Sequence, residues 1–500
     1  MKFIDKDLIS IQESRILVEN AKEAQRQLNL YDQKKLDRAV SKVYSELEKN
    51  ISGFSAMYTE ETFYGKEEDE AKLASLLSCK VYEKIIPQKC IGEIKDCSEI
   101  GVPLGGVVLA VSAMNTVASV ITTSLNCLKT GNTLIVCPDK RVVKTVTAIV
   151  KTISETLESL GFPIGTIGNK ETVSEKGVEE LILDDKIPVV INSGARELID
   201  LCQRSSKILY YGGTSATPVF IEKTADIKNA VENIVSSRTF NNGLLPGSEQ
   251  YIVVDSSVFD EVKHNMKSMN AYFMNNIEEK KLISTLLKNG LMEEEYIGKS
   301  AHWLAKQSGF EIPEETSILV SEQDYVSEMD PYSQELNCPV VAIYKETDWM
   351  NACEKCMNLL ANRNGGHSLS IYSKDEKIIR EFANKKPVGR ILINVNATYG
   401  SMGIDTDLEP SIILGSFTRG KGVLSSNLSV KHLVYNRKIG KGKEKTLLFN
   451  ENNSKKSNID FEDILKSISD LSGYKEEKEE SDKLKDLVKG FAKLLSEMKN

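Results

Sequence analysis

The sequence predicts an α/β chain, with a helical N-terminal stretch leading into two successive blocks of parallel sheet and covering helices. Three observations predict it. Apolar residues recur at helical spacing over residues 8–50, short β-rich runs alternate with longer helical stretches from about residue 100, and a second strand–helix–strand series starts at Pro218. At 500 residues the chain is also too long for one ordinary core, so two or three domains are expected.

In the first stretch Ile9, Ile16, Leu17, Ala21 and Ala24, then Leu36, Ala39, Val43, Tyr44 and Leu47, repeat near the 3.6-residue period of a helix. The runs Val107–Val111, Thr133–Val136 and Pro188–Ile191 read as strands, with helical segments such as Val143–Leu160 between them. Strand, helix, strand at this spacing argues for a parallel sheet. The second block opens with Pro218–Ile221, a helix over Ile227–Arg238 and a strand at Tyr251–Val254. Further strands are expected at Ser317–Val320, Val340–Tyr344, Ser368–Tyr372 and Gly389–Asn394. Leu104–Leu128 is apolar enough to suggest a membrane span, but it carries Ser112, Asn115, Thr116, Ser119, Thr122, Thr123, Ser124 and Asn126. Those groups are costly in hydrocarbon, so a buried strand followed by a buried helix fits better. Near residue 450 the character changes to a polar linker, Asn450–Ser457. Beyond it Leu484, Leu487, Val488, Phe491, Leu494, Leu495 and Met498 form an amphipathic helical stripe.

A net charge of −8 argues against a general nucleic-acid binder. Acidic Asp5 and Asp7 stand where a secretory leader would need a basic start, so a cytoplasmic protein without a membrane anchor is expected. The nine cysteines show no paired spacing; Cys353 and Cys356 lie three apart but lack a second pair or a nearby histidine, so no metal site is expected and most thiols read as packing residues.

The stretch Phe240-Asn241-Asn242-Gly243-Leu244-Leu245-Pro246-Gly247-Ser248-Glu249-Gln250 carries the functional information. It resembles the nucleophile loop of CoA-acylating aldehyde dehydrogenases, a Phe-x-Asn-Gly-x-x-Cys-x-Ser-Glu-Gln pattern, with Pro246 in the cysteine slot. The resemblance runs from about residue 10 to about residue 440 and includes Pro218–Ile227, Glu335–Val340, Gly366-His367-Ser368 and Arg390–Asn394. It implies the aldehyde dehydrogenase fold, divided into a nucleotide-binding-type domain over 1–217, a catalytic-type domain over 218–410, a return to an oligomerisation segment over 411–449, and a linker and helical tail over 450–500.

In that family a cysteine attacks the aldehyde, and the resulting oxyanion is held by an asparagine amide, here Asn115, and by the backbone N–H of the nucleophile. Proline supplies neither the nucleophile nor that N–H. Ser248 offers only an unactivated hydroxyl, and Cys338 is a conceivable substitute thiol. The resemblance makes Glu335 the contact to the nicotinamide ribose, and His367 either a base near the CoA thiol or a loop histidine of no consequence. The turn that faces the cofactor pyrophosphate reads Asn192-Ser193-Gly194-Ala195-Arg196-Glu197. Gly194 is kept, while Ser193 and Arg196 fill positions that are small in the family; Arg196 either pairs with a phosphate or blocks the site.

The resemblance thus implies NAD and CoA as cofactors, with the altered turn putting their binding in question, and a homo-oligomer. The expected function is a catalytically inactive homologue with an assembly, regulatory or cargo role; the alternative is an active oxidoreductase of altered chemistry. The tail resembles the peptides that send such dehydrogenases into bacterial microcompartments, which makes a shell or a paralogous dehydrogenase a partner; a helix folding back on its own domain or pairing in an oligomer is the other reading.

Overall fold

The computed structural model describes residues 5–95, 98–112, 116–213, 216–327, 330–361, 366–416 and 422–442. The helical tail expected beyond residue 450 lies outside them. Residues 1–439 form one compact unit.

The stretch read as helical over 8–50 is two helices, followed by a third: α1 (Lys6–Leu28), α2 (Gln33–Thr62) and α3 (Glu67–Ile85). The break comes at Asp32, whose carboxylate accepts the Lys35 N–H and caps α2. The α2 helix ends at Phe63, in the left-handed region at φ 58°. Leu36, Val40, Val43, Leu47 and Tyr58 of α2 pack with Leu73 and Leu77 of α3 into the largest core cluster. The apolar segment 104–128 divides into the buried strand Val107–Ser112 and α4 (Val117–Lys129), every residue of which is buried.

A five-stranded parallel sheet runs in the order Ile167–Asn169, Thr133–Cys137, Val107–Ser112, Val189–Ser193, Ile208–Gly212. The chain starts in the middle, works outward to one edge, then returns to the other side. The reversal falls between Val107–Ser112 and Val189–Ser193, so the turn leaving the carboxyl end of Val189–Ser193, at 193–196, flanks the crevice where such sheets bind ligands.

The second sheet has seven strands, all parallel, in the order Ala271–Phe273, Ile318–Glu322, Val340–Glu346, Glu249–Asp255, Thr217–Ile221, Ser368–Tyr372, Arg390–Ile393. Its central strands are buried on both faces, which is why they read as continuous apolar runs. A third, antiparallel sheet joins Gly92–Lys95 and Glu99–Pro103 to Val434–Lys438, with Tyr435 55 % exposed at its edge. Among the described residues no helix is long and apolar enough to cross a membrane.

Candidate functional site

The loop between the helix Ile227–Thr239 and the strand Glu249–Asp255 is held from several directions. Asn241, Asn242 and Gly243 take successive left-handed φ values of 50°, 54° and 72°, a conformation that asparagine and glycine tolerate best. A Cβ on Gly243 would lie 2.7 Å from the Cys338 carbonyl oxygen. The Asn241 side chain accepts the Lys66 N–H at 2.7 Å and donates to Glu70 Oε2 at 3.0 Å, while its own N–H donates to Asp69 Oδ2 at 2.8 Å. Asn242 donates to the Gly298 carbonyl at 2.8 Å.

The chain then turns through Leu245–Ser248. Pro246 followed by Gly247 at φ 89° is the residue pair that a type II turn favours, proline at its second position and a positive-φ glycine at its third. A Cβ on Gly247 would fall 2.3 Å from Ser401 Oγ.

Behind the turn lies Arg238, fully buried at the end of its helix. Its guanidinium donates to Ser248 Oγ (2.9 Å), Gln250 Oε1 (3.2 Å), the Val340 carbonyl (3.2 Å) and the Leu336 carbonyl. Gln250 Oε1 also accepts the Leu336 N–H at 2.8 Å. One buried cation therefore joins the 240–250 loop to the 335–340 loop, and burial holds its pKa below the usual arginine value. Nothing in the local sequence marks Arg238 for this role, because its acceptors are mostly carbonyls brought in by other elements.

Glu70 is a second residue that sequence reasoning missed. In the chain it looks like part of a solvated acidic helix start, Glu67-Glu68-Asp69-Glu70, yet it is fully buried. Its carboxylate accepts the Val117 N–H, at the start of α4, at 2.9 Å and the Asn241 amide. Burial pushes Glu70 up to about 7, and those two donors offset it only in part. Glu70 thus couples the start of α4 to the loop ahead of Pro246.

These elements enclose a cavity of about 140 Å³, whose lining includes Pro246, Ser193, Gly194, Glu335, Thr116 and Arg141. Arg141 is set by a two-pronged contact to Asp139, at 2.6 and 3.0 Å, and donates to the Tyr64 hydroxyl at 2.9 Å. Gly194 has φ 84° and no Cβ to fill the crevice. Arg196, two residues on, reaches across to Glu335 with Nη2 2.7 Å from Oε2. That ion pair joins the turn after Val189–Ser193, on the five-stranded sheet, to the loop before Val340–Glu346, on the seven-stranded one.

The other expected site residues fall elsewhere. Asn115 lies outside the described residues. His367 is fully buried and is not part of the cavity lining; its Nδ1 meets Ser368 Oγ at 2.8 Å and its Nε2 has no hydrogen-bond partner. Burial, then the neighbouring Arg390, holds it well below the usual histidine pKa, so the ring is neutral near pH 7. His367 lies in the bend just ahead of the strand Ser368–Tyr372, with its ring enclosed rather than exposed. Cys338 is also fully buried and outside the lining, its thiol pushed up to about 12 by burial, which removes it as a substitute nucleophile.

A sequence profile of the aldehyde dehydrogenase family matches residues 9–288. The chain is 29% identical over 448 residues to the bifunctional aldehyde–alcohol dehydrogenase of Escherichia coli, covering 88% of this chain and 50% of that protein. It thus spans about half the length of that relative. An acetylating aldehyde dehydrogenase from Geobacillus thermoglucosidasius superposes with a TM-score of 0.85 at 30% identity, covering 88% of this chain and 99% of the other. A propionaldehyde dehydrogenase from the fucose-utilisation microcompartment of Clostridium phytofermentans shares the fold, with a TM-score of 0.75 at 21% identity over 85% of this chain and 96% of the other. Other structures of this fold hold bound CoA and an acylated cysteine, in Rhodopseudomonas palustris propionaldehyde dehydrogenase, and bound NADP+, in an engineered glycolyl-CoA reductase.

Proposed function

The chain belongs to the aldehyde dehydrogenase family, and we propose that it is a divergent, catalytically inactive homologue of the CoA-acylating branch, retained for an assembly, regulatory or cargo role. The observation that carries this reading is Pro246 on the cavity wall, in a turn whose chemistry suits Pro-Gly. No thiol lines that cavity among the described residues. Loss of one oxyanion donor costs about 10²–10³ in rate, and loss of the nucleophile adds to it. Neither Ser248 nor Cys338 compensates: Ser248 Oγ accepts from Arg238, and the Cys338 thiol is buried and protonated.

The cofactor side agrees. In the family the counterpart of Glu335 contacts the nicotinamide ribose; here Arg196 already occupies that carboxylate. A dinucleotide entering the crevice has to displace the guanidinium or draw it onto a phosphate. The two cases have opposite signatures by calorimetry with NAD(H). If Arg196 blocks the site, Arg196→Ala tightens binding; if it is a phosphate partner, the same change weakens binding. The proposed reading expects tightening, from no detectable binding at millimolar ligand in the unmodified protein. CoA is expected to bind no better than NAD(H), and tight binding of either ligand to the unmodified protein would count against a vestigial pocket.

The assembly role draws on two further features. The exposed edge of Val434–Lys438 suits pairing with a second copy, giving a homo-oligomer. The amphipathic stripe from Leu484 to Met498 suits a shell protein or a paralogous dehydrogenase as partner, with the microcompartment interior as the location. Truncation after Asn450 separates these: retained oligomerisation with lost shell association supports cargo, whereas dissociation assigns the tail to the oligomer.

A further inference from the structure

Eight cysteines are described, and one of them differs from the rest in its company. Cys127, Cys338 and Cys356 are sealed in the interior, where burial pushes their thiols up, to about 12 for Cys338 and Cys356. Such thiols are poor nucleophiles. Cys353, on the helix Trp349–Ala361, is 8 % exposed, and the Lys386 Nζ sits 2.8 Å from its Sγ. The lysine comes from 33 residues further along the chain, just past the helix Glu376–Lys385, and is itself 7 % exposed.

Three properties of this contact matter. Lys386 makes no salt bridge to a carboxylate among the described residues; its polar contacts are the Cys353 carbonyl, at 2.5 Å, and the Cys353 sulfur, and its Nζ lies 4.7 Å from the Phe382 ring centroid. The carbonyl and the ring fix the amine against the sulfur. Finally, neither residue is fully sealed, Cys353 being 8 % and Lys386 7 % exposed.

We propose that Cys353 and Lys386 form an oxidant-driven covalent cross-link, a sulfenamide between Sγ and Nζ. Peroxide transfers one oxygen to sulfur: the S–O bond forms, the O–O bond breaks, and one water leaves, giving the sulfenic acid. The Nζ lone pair then attacks sulfur; the S–N bond forms, the S–O bond breaks, and a second water leaves. Overall one thiol, one amine and one peroxide give one S–N bond and two waters, with sulfur oxidised by two electrons and peroxide reduced. A trapping nucleophile already in contact outcompetes over-oxidation, because sulfenic acids that meet no partner go on to sulfinic acid.

The link would close a loop containing the strand Ser368–Tyr372 and the buried His367. It therefore pins one wall of the seven-stranded sheet in the oxidised protein and releases it when a thiol reductant attacks the sulfur. This device does not depend on whether Pro246 has silenced the cavity.

The test is peptide mapping by mass spectrometry of the full-length protein after treatment with hydrogen peroxide, with and without dithiothreitol. The expected result is a joined pair of peptides carrying Cys353 and Lys386, lighter than their sum by two hydrogens, and cleaved by dithiothreitol. Cys356→Ser should retain the link, and Lys386→Met should lose it and give sulfinic acid at Cys353 instead. A Cys353–Cys356 disulfide, sulfinic acid at Cys353 in the unmodified protein, or no reaction at Cys353 would each overturn the proposal. Because the unmodified protein and Cys356→Ser are read directly, misfolding of Lys386→Met leaves the proposal open to refutation.

Discussion

Two loops line the same cavity and are held in opposite ways. The 240–250 loop is buried, and Arg238, Glu70, Asp69 and Asn241 tie it to three other segments. The turn at 193–198 meets the facing loop through the Arg196–Glu335 ion pair, with Arg196 43 % and Glu335 20 % exposed on their side chains. A network of buried hydrogen bonds cannot lose a member cheaply, whereas a half-exposed pair is worth at most about 1 kcal/mol. The first loop thus keeps its architecture with a proline at position 246, and the second can exchange partners at little cost to the fold.

Removing the buried clamp should break this comparison most severely. Arg238→Met takes a donor away from Ser248 Oγ, Gln250 Oε1 and two carbonyls, of which Gln250 Oε1 keeps the Leu336 N–H, and should destabilise the protein by about 3 kcal/mol or more in urea unfolding. A near-neutral result would mean that the loop is held by packing alone. Next comes Gly247→Ala, which forces a side chain onto φ 89° against Ser401; the expected cost is about 1–3 kcal/mol in the same measurement.

A third effect is pH dependence. Burial raises Glu70 to about 7 and Glu249 to about 8, while the same groups titrate near 4.5 in the unfolded chain. Between those values the folded state binds more protons than the unfolded state, so stability falls as pH rises. The fall runs from about pH 4.5 to 7 for Glu70 and on to 8 for Glu249, by at most about 1.4 kcal/mol per pH unit for each group. Glu249→Gln, which can still accept the Ala397 N–H, should flatten the part between pH 7 and 8; an unchanged slope would assign that proton elsewhere. The smallest effect belongs to the other loop. Arg196→Ala should shift stability by less than about 1 kcal/mol, and a larger loss would show that the turn is structural after all.

The alternation of strands and helices was legible because the buried strands are continuous apolar runs and the helices carry one apolar face. What failed to register was short or tertiary in origin. The edge strands Ile167–Asn169 and Ala271–Phe273 are three residues each, too brief for a period to emerge. The break between α1 and α2 at Asn29–Asp32 was hidden because apolar spacing resumes at Leu36. At the site, the 240–250 loop stood out through its residue pattern, and Ser193, Gly194 and Glu335 fall beside Pro246 on the cavity. Glu70 and Arg238 were illegible for a common reason: a charge run and a helix-end arginine are normally solvated, and only the packing of distant segments buries them.

The central claim, that the cavity is catalytically silent because position 246 lacks a thiol, is tested most directly by CoA-dependent oxidation of acetaldehyde, followed through NADH absorbance. The unmodified protein and Pro246→Cys should be run side by side. The account predicts no turnover by the unmodified protein, with any activity confined to Pro246→Cys. Sustained NADH formation by the unmodified protein would contradict it.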